Sequence, residues 1–333
     1  MASLTHWERV QAAIEGGPLD HPPIALWRHW PDQDQDASAF ARVTLGWQHT
    51  YDFDVVKITP NAPAGVADWG LESRYDPQAK GIRLTTRFPV RDVADWAKLK
   101  RNDPAEGHLG REVNATRRVA HAIEGRAPVL QTVLQTVFSP LTLARKLADM
   151  TLFDHIREHP QAVERALGVI AETAAAFAAA CIRAGADGIY FATQCASRTV
   201  LDTEGYRRFG RPYDLHVLEA IRKQSRLVIM HVHGESILFD DLLDYPVDML
   251  NWHDRRTPPA LHEGHARFAG AVVGGIDEED LLCTGPASAI KAQVAETIAL
   301  TGGRRVMLGG GCVVPLAAPE ANICAAIAAV RGG

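Results

Sequence analysis

The feature that most limits what this chain can become is a series of short, largely apolar runs. They cover residues 23–27, 55–59, 128–134, 188–193, 227–233, 247–252, 271–276 and 306–310. Each is short enough for one strand and ends in polar or glycine residues, as strands buried on both faces do. Strands covered on both faces are parallel, and a parallel pair needs a crossover, usually a helix. Helical patterns lie between most of the runs. Residues 161–183 are alanine-rich and strongly helix-forming, with Gly185 as a stop signal. Residues 286–300 keep an apolar spacing near 3.6 and end at Gly302-Gly303, and 319–330 open on a proline. Residues 3–16 form an amphipathic helix ahead of the first run. Roughly eight strands alternating with helices predict an α/β fold, a (β/α)8 TIM barrel, formed by residues 1–333 as a single domain. Two segments depart from the alternation. Residues 69–90 read as a hairpin inserted after the second strand, turning around Tyr75-Asp-Pro-Gln-Ala-Lys-Gly-Ile, and residues 92–120 are charged and helical.

Composition narrows the classes of function. The formal net charge is −5 and no basic tract occurs, so neither nucleic acid nor an anionic membrane surface is an expected partner. No run of about 18 uncharged apolar residues occurs, so no membrane span is expected. The start, Met1-Ala-Ser-Leu-Thr-His-Trp-Glu-Arg, lacks the basic-then-apolar order of a signal peptide. Cys181, Cys195, Cys283, Cys312 and Cys324 are odd in number and scattered, which argues against a disulfide framework and for reduced thiols in a cytoplasmic enzyme.

In a barrel, function gathers where the strands end at their carboxyl side. Those ends offer Arg28 and His29, then Lys57, Thr59 and Asn61, then Gln131 and Gln135, then Gln194 and Cys195. The later ends offer His231 and His233, His253 and Asp254, Asp277, and Cys312. Val228-Ile-Met-His231-Val-His233-Gly234 places two imidazoles two apart, on one side of a strand. Cys312 follows Leu308-Gly-Gly-Gly at the last strand end, which a closed barrel brings near the fifth. Two imidazoles, one thiolate and an open fourth position suit a catalytic zinc. The same residues also suit a histidine pair bonded to core carboxylates beside an inert buried thiol. Gly234 and Gly309-Gly310-Gly311 would let backbone approach a ligand closely, whether a metal site's substrate, a phosphate or a carboxylate.

Four segments resemble the uroporphyrinogen decarboxylase superfamily, and the likeness spans nearly the whole chain. They are Ala184-Gly-Ala-Asp-Gly-Ile-Tyr-Phe running on to Tyr206-Arg-Arg-Phe-Gly-Arg-Pro-Tyr213, the His231 strand, Val272-Val-Gly-Gly-Ile-Asp277 through Gly285, and Leu308-Gly-Gly-Gly-Cys-Val-Val-Pro315 through Pro319-Glu-Ala-Asn. True decarboxylases of this family carry an Arg-Gln-Ala-Gly-Arg segment after the first strand and an aspartate at the second strand end. This chain has Trp27-Arg28-His29-Trp30-Pro31 and Val56-Lys57-Ile58-Thr59-Pro60 there. The branch that works with corrinoid proteins carries His-x-Cys at the fifth strand end and a cysteine near the eighth. His231, His233 and Cys312 match that pattern, with His233 in place of the first cysteine.

The resemblance therefore implies a zinc-dependent methyltransferase, with His231, His233 and Cys312 as metal ligands and catalytic centre. It would act between a corrinoid, carried by a partner protein, and a small thiol or methylated substrate. Arg28, His29, Asn61, Gln194, Asp254 and Asp277 are the expected substrate-binding residues, Arg28 as the partner of an anionic group. The likeness also implies a homodimer with facing barrel mouths. Two other readings stay open: a decarboxylase of a smaller tetrapyrrole or another carboxylate, bound through Arg28 and Arg198, and a non-catalytic corrinoid-binding barrel.

Overall fold

A computed structural model describes residues 3–76, 81–124 and 132–332. Seven parallel strands form one curled sheet in sequential order: β1 (Val55–Ile58), β4 (Thr132–Phe138), β5 (Gly188–Thr193), β6 (Leu227–Val232), β7 (Met249–Trp252), β8 (Ala271–Ile276) and β9 (Val306–Gly310). β2 (Glu72–Tyr75) and β3 (Arg83–Arg87) pair antiparallel as a separate two-stranded sheet. Residues 77–80, within the expected turn, lie outside the described residues.

Except for the last residue of β4, every residue of the seven strands is buried, because helices cover the outer face and side chains fill the inner one. The helix Pro160–Arg183 is long and apolar enough to cross a membrane by length and composition, although no 18-residue stretch of it is free of charge, Glu172 lying near its middle. Here 56% of its most apolar stretch is buried inside the protein, with Leu167, Ile170 and Phe177 in the main core.

The first expected strand is corrected. Residues 23–27 make a single bridge, Ile24 to Leu308, rather than a ladder strand. Pro22 and Pro23 have no N–H to give a ladder, which is reason enough. The segment nonetheless lies between the two edge strands. Ala25 donates to the Leu308 carbonyl and Leu308 to that of Pro23, while Asp54, just ahead of β1, donates to Ile24 (2.8–3.0 Å). The helix His6–Glu15 seals this end. Its N-cap is a Thr5/Glu8 capping box, and Gly16 ends it in the left-handed region. Its Arg9 meets Asp54 at 2.6 Å and Asp20 at 2.7 Å, and its His6 meets Asp54 at 2.9 Å. The other Asp54 oxygen accepts the Ile24 N–H at 2.8 Å.

The third expected run is displaced. β4 starts at Thr132 and runs on to Phe138, and residues 128–131, with Gln131, lie outside the described residues. Gln135 is therefore mid-strand and fully buried, not a strand end.

Candidate metal centre

Strand register builds the site. His231 on β6 pairs in register with Asn251 on β7, and Asn251 with Val273 on β8. Residues two apart share a face. His231 and His233 therefore stand beside Asn251 and His253, all facing the interior. The ring centroids of His233 and His253 lie 4.9 Å apart, and each lies 5.9 Å from that of His231. Nε2 of His253 lies 3.1 Å from Nδ1 of His233, and Sγ of Cys312 lies 3.9 Å from the same nitrogen. One ligand atom from each of His231, His233, His253 and Cys312 falls within 4.8 Å of every other.

The ring orientations follow from the hydrogen bonds behind them. The Asn251 amide nitrogen donates to the carbonyls of Val273 (2.9 Å) and Gly310 (3.0 Å). Its oxygen must therefore accept, from the Tyr190 hydroxyl (2.6 Å) and from Nδ1–H of His231 (2.7 Å). That fixes the His231 tautomer and leaves Nε2 free as a ligand. Behind His253, Nδ1 lies 3.3 Å from a Glu278 oxygen, and the other oxygen accepts the Gly311 N–H at 2.9 Å. Nε2 of His253 is turned toward the cluster in the same way.

The centre pairs a thiolate with a protonated imidazole, so a metal cation would enter by displacing that proton. Burial raises the Cys312 thiol, but hydrogen bonding to His231, His233 and His253 outweighs it and holds Cys312 well below the thiol range, as thiolate. Burial lowers His231. Burial also works against His253⁺, yet Cys312 and Glu278 raise its pKa to about 10. Imidazole and thiolate are donors zinc favours, and oriented, hydrogen-bonded imidazoles are how such sites are held. The donor set fits that metal.

The centre forms one wall of a cavity of about 380 Å3. His231, His233 and Cys312 line it, together with His29, Asn61 and Gln194 among the expected substrate residues. Burial lowers His29 to about 4, so the ring is neutral. Three expected substrate residues are placed elsewhere. The Arg28 guanidinium stacks 4.7 Å from the Trp30 ring centroid, off the cavity wall. Asp254 turns outward to accept the Gly275 N–H (3.2 Å), and Asp277 pairs with Arg256 (2.9 Å). The cause is the two-residue alternation: His29, His253 and Glu278 face in, so Arg28, Asp254 and Asp277 face out.

Sequence reasoning did not assign His253 and Glu278 to the centre. The signal for His253 was present: His-x-His and Asn-x-His end adjacent strands in one register. The glycines serve the protein rather than a ligand. A Cβ on Gly311 would stand 2.6 Å from the His253 Cα, so only glycine lets the last strand end pass the His253 backbone. Gly234 has open space around it and is required by its φ of +105°.

The chain belongs to the uroporphyrinogen decarboxylase (URO-D) family, whose profile matches residues 5–333. Among individual proteins it is similar to the methylcobamide:CoM methyltransferase MtbA of Methanosarcina mazei, at 20% identity over 97% of this chain and 96% of the relative. It is also similar to the methylcobamide:CoM methyltransferase MtaA of Methanosarcina barkeri, at 22% identity over 99% and 98%. Among solved structures, a methyltransferase from Methanosarcina mazei shares the fold with a TM-score of 0.83, at 20% identity and over 99% of each chain.

Proposed function

We propose that the protein is a zinc-dependent methyltransferase that moves a methyl group between a corrinoid, carried by a partner protein, and a small thiol or methylated substrate. The observation that carries this reading is the convergence of three imidazoles and one thiolate beside a substrate-sized cavity, with His231, His233 and Cys312 on its wall. The names of the two full-length relatives support it. We further read the seven strands and residues 23–27 as one (β/α)8 barrel with the β2–β3 hairpin inserted, and the protein as a cytoplasmic homodimer.

Held by His231, His233 and Cys312, the members of the cluster that line the cavity, zinc would leave a position for a thiol and supply Lewis acidity, keeping that thiol deprotonated and nucleophilic at neutral pH. The chain's own residues do the positioning. Asn251 and Glu278 hold His231 and His253 in the tautomers that face the centre. Trp27, Phe138 and Val313 line the cavity and limit water beside the reacting atoms. A substrate lodged there has its reactive end fixed against the centre, which turns an encounter into a near-unimolecular step. Ligands reach the cavity at one wall only, from β6 and the residues after β9, so the opposite wall is free for substrate.

The decarboxylase reading needed Arg28 and Arg198 as carboxylate partners, and neither lines the cavity. A non-catalytic barrel gives no reason for oriented ligand nitrogens. The deciding experiment incubates zinc-loaded protein with methylcobalamin and 2-mercaptoethanol or 2-mercaptoethanesulfonate. Thioether formation by mass spectrometry, with matching loss of methylcobalamin absorbance, is expected. It should stop on chelation and return with zinc. No transfer in either direction, or equal transfer in metal-stripped protein, overturns the reading.

A further inference from the structure

β1 carries a lysine among apolar residues, and the strand's alternation decides where it points. Val56 and Ile58 pack with Phe40 and Val119 on the outer side of the sheet, so Lys57 and Thr59 turn inward, onto the cavity wall. Lys57 is buried, with its Nζ 4.2 Å from the Tyr190 ring centroid and 5.2 Å from that of Trp27. It donates to the Thr59 hydroxyl at 3.2 Å, and among the described residues no carboxylate stands within ion-pair distance. Tyr190 also stacks on His231, with ring centroids 5.7 Å apart, so one aromatic ring adjoins both the amine and the centre.

The other titratable groups on this wall are poorly suited to take up a proton at neutral pH. Among the described residues no Asp or Glu lines the cavity. Tyr190 spends its O–H on Asn251, and His29, lowered to about 4 by burial, is too weak a base. Lys146 donates to Gln194 at 3.1 Å and has Cys195 and Arg145 as titratable neighbours, whereas those of Lys57 are Cys312, His29 and Tyr190. We propose that Lys57 is the proton acceptor of the cavity: as an uncharged amine it takes the proton of a thiol substrate that binds at the centre. This rests on the methyl transfer proposed above. The S–H bond breaks and its proton goes to the Lys57 lone pair. A sulfur electron pair then forms the bond to the methyl carbon, the pair of the methyl–cobalt bond stays with the corrinoid, and the ammonium later yields its proton to water. Burial lowers Lys57 to about 7, so the free amine is present at neutral pH, and the thiolate it creates supplies the counter-charge its ammonium lacks.

The test counts protons. 2-Mercaptoethanol is titrated into zinc-loaded protein at pH 8, by calorimetry in two buffers of different ionisation enthalpy. The parent should release close to no proton per thiol bound, because Lys57 retains it. Lys57→Met and Lys57→Arg should each release about one, since a guanidinium offers no base at this pH. A lysine needed only for its charge would be rescued by arginine. Lys146→Met should match the parent, and zinc affinity equal to the parent's shows that the variants fold. With methylcobalamin at pH 7, kcat should fall about 100-fold or more in both Lys57 variants and recover as pH rises. A full proton released by the parent, or a Lys57→Arg that behaves like it, overturns the proposal and leaves methyl transfer standing. No thiol binding by the zinc-loaded parent overturns both.

Discussion

Cys312 brings the negative charge among the four clustered side chains, and in the proposed zinc site three imidazoles would face a dication alone without it. A hydroxyl is a poor donor at neutral pH, so Cys312→Ser should lose zinc to a chromogenic chelator at concentrations the parent resists. Cys283→Ser and Cys324→Ser should match the parent, since those thiols sit on the helices Leu281–Thr284 and Glu320–Arg331. Asn251→Leu should weaken zinc roughly 10–100-fold, because it removes the acceptor that sets the His231 tautomer. The same residues show what a sequence reading can reach. His231, His233 and Cys312 were legible because a two-residue alternation and the family's closing motif both mark them. Arg28, Asp254 and Asp277 were chosen for being polar at a strand end, and polarity does not carry parity. Their neighbours His29, His253 and Glu278 have the inward phase, and that phase is fixed only once one residue of the strand is known to face in.

The helix His6–Glu15 is held to the rest of the protein by charge as much as by packing. Burial opposes a charged His6, but Asp52 and Asp54 outweigh it and raise its pKa to about 9, from an unfolded value near 6.5. A group whose folded pKa is raised stabilises fully below its unfolded pKa, and the contribution fades as pH climbs through the folded one. It is worth on the order of 2 kcal/mol. The urea midpoint should therefore fall from about pH 7 to about pH 10, and His6→Gln should flatten that slope; an unchanged slope would remove His6 as the cause. Elements were legible where apolar runs were continuous, as in β5, β8 and β9. They were misplaced where polar residues lie inside a strand. Thr132, Gln135 and Thr136 are buried in β4, so the run that looked like a strand was cut short at its polar half.

At the scale of the whole molecule, the cavity of about 380 Å3 suits a small ligand better than a macrocycle bearing many carboxylates. Purified protein given uroporphyrinogen should yield no coproporphyrinogen above background, and its appearance would return the decarboxylase reading to first place. Analytical ultracentrifugation at micromolar concentration should show a dimer, and a monomer would remove that part of the family expectation. The sheet also has one weak seam. Six of its lateral contacts are ladders, while the join between β9 and β1 depends on a proline-led segment with a single bridge and a few amide bonds. Thermal opening should begin there, well below the free energy of global unfolding. The strand freed by such an opening is β9, which leads into Cys312. Each transient breach thus pulls on the centre, and in the proposed zinc site a metal held between β6, β7 and the end of β9 would tie the seam shut. Under the proposed zinc function, metal binding would then slow the opening of this seam, and slow exchange of the Ala25 and Leu308 amide protons is where a spectroscopist would read it.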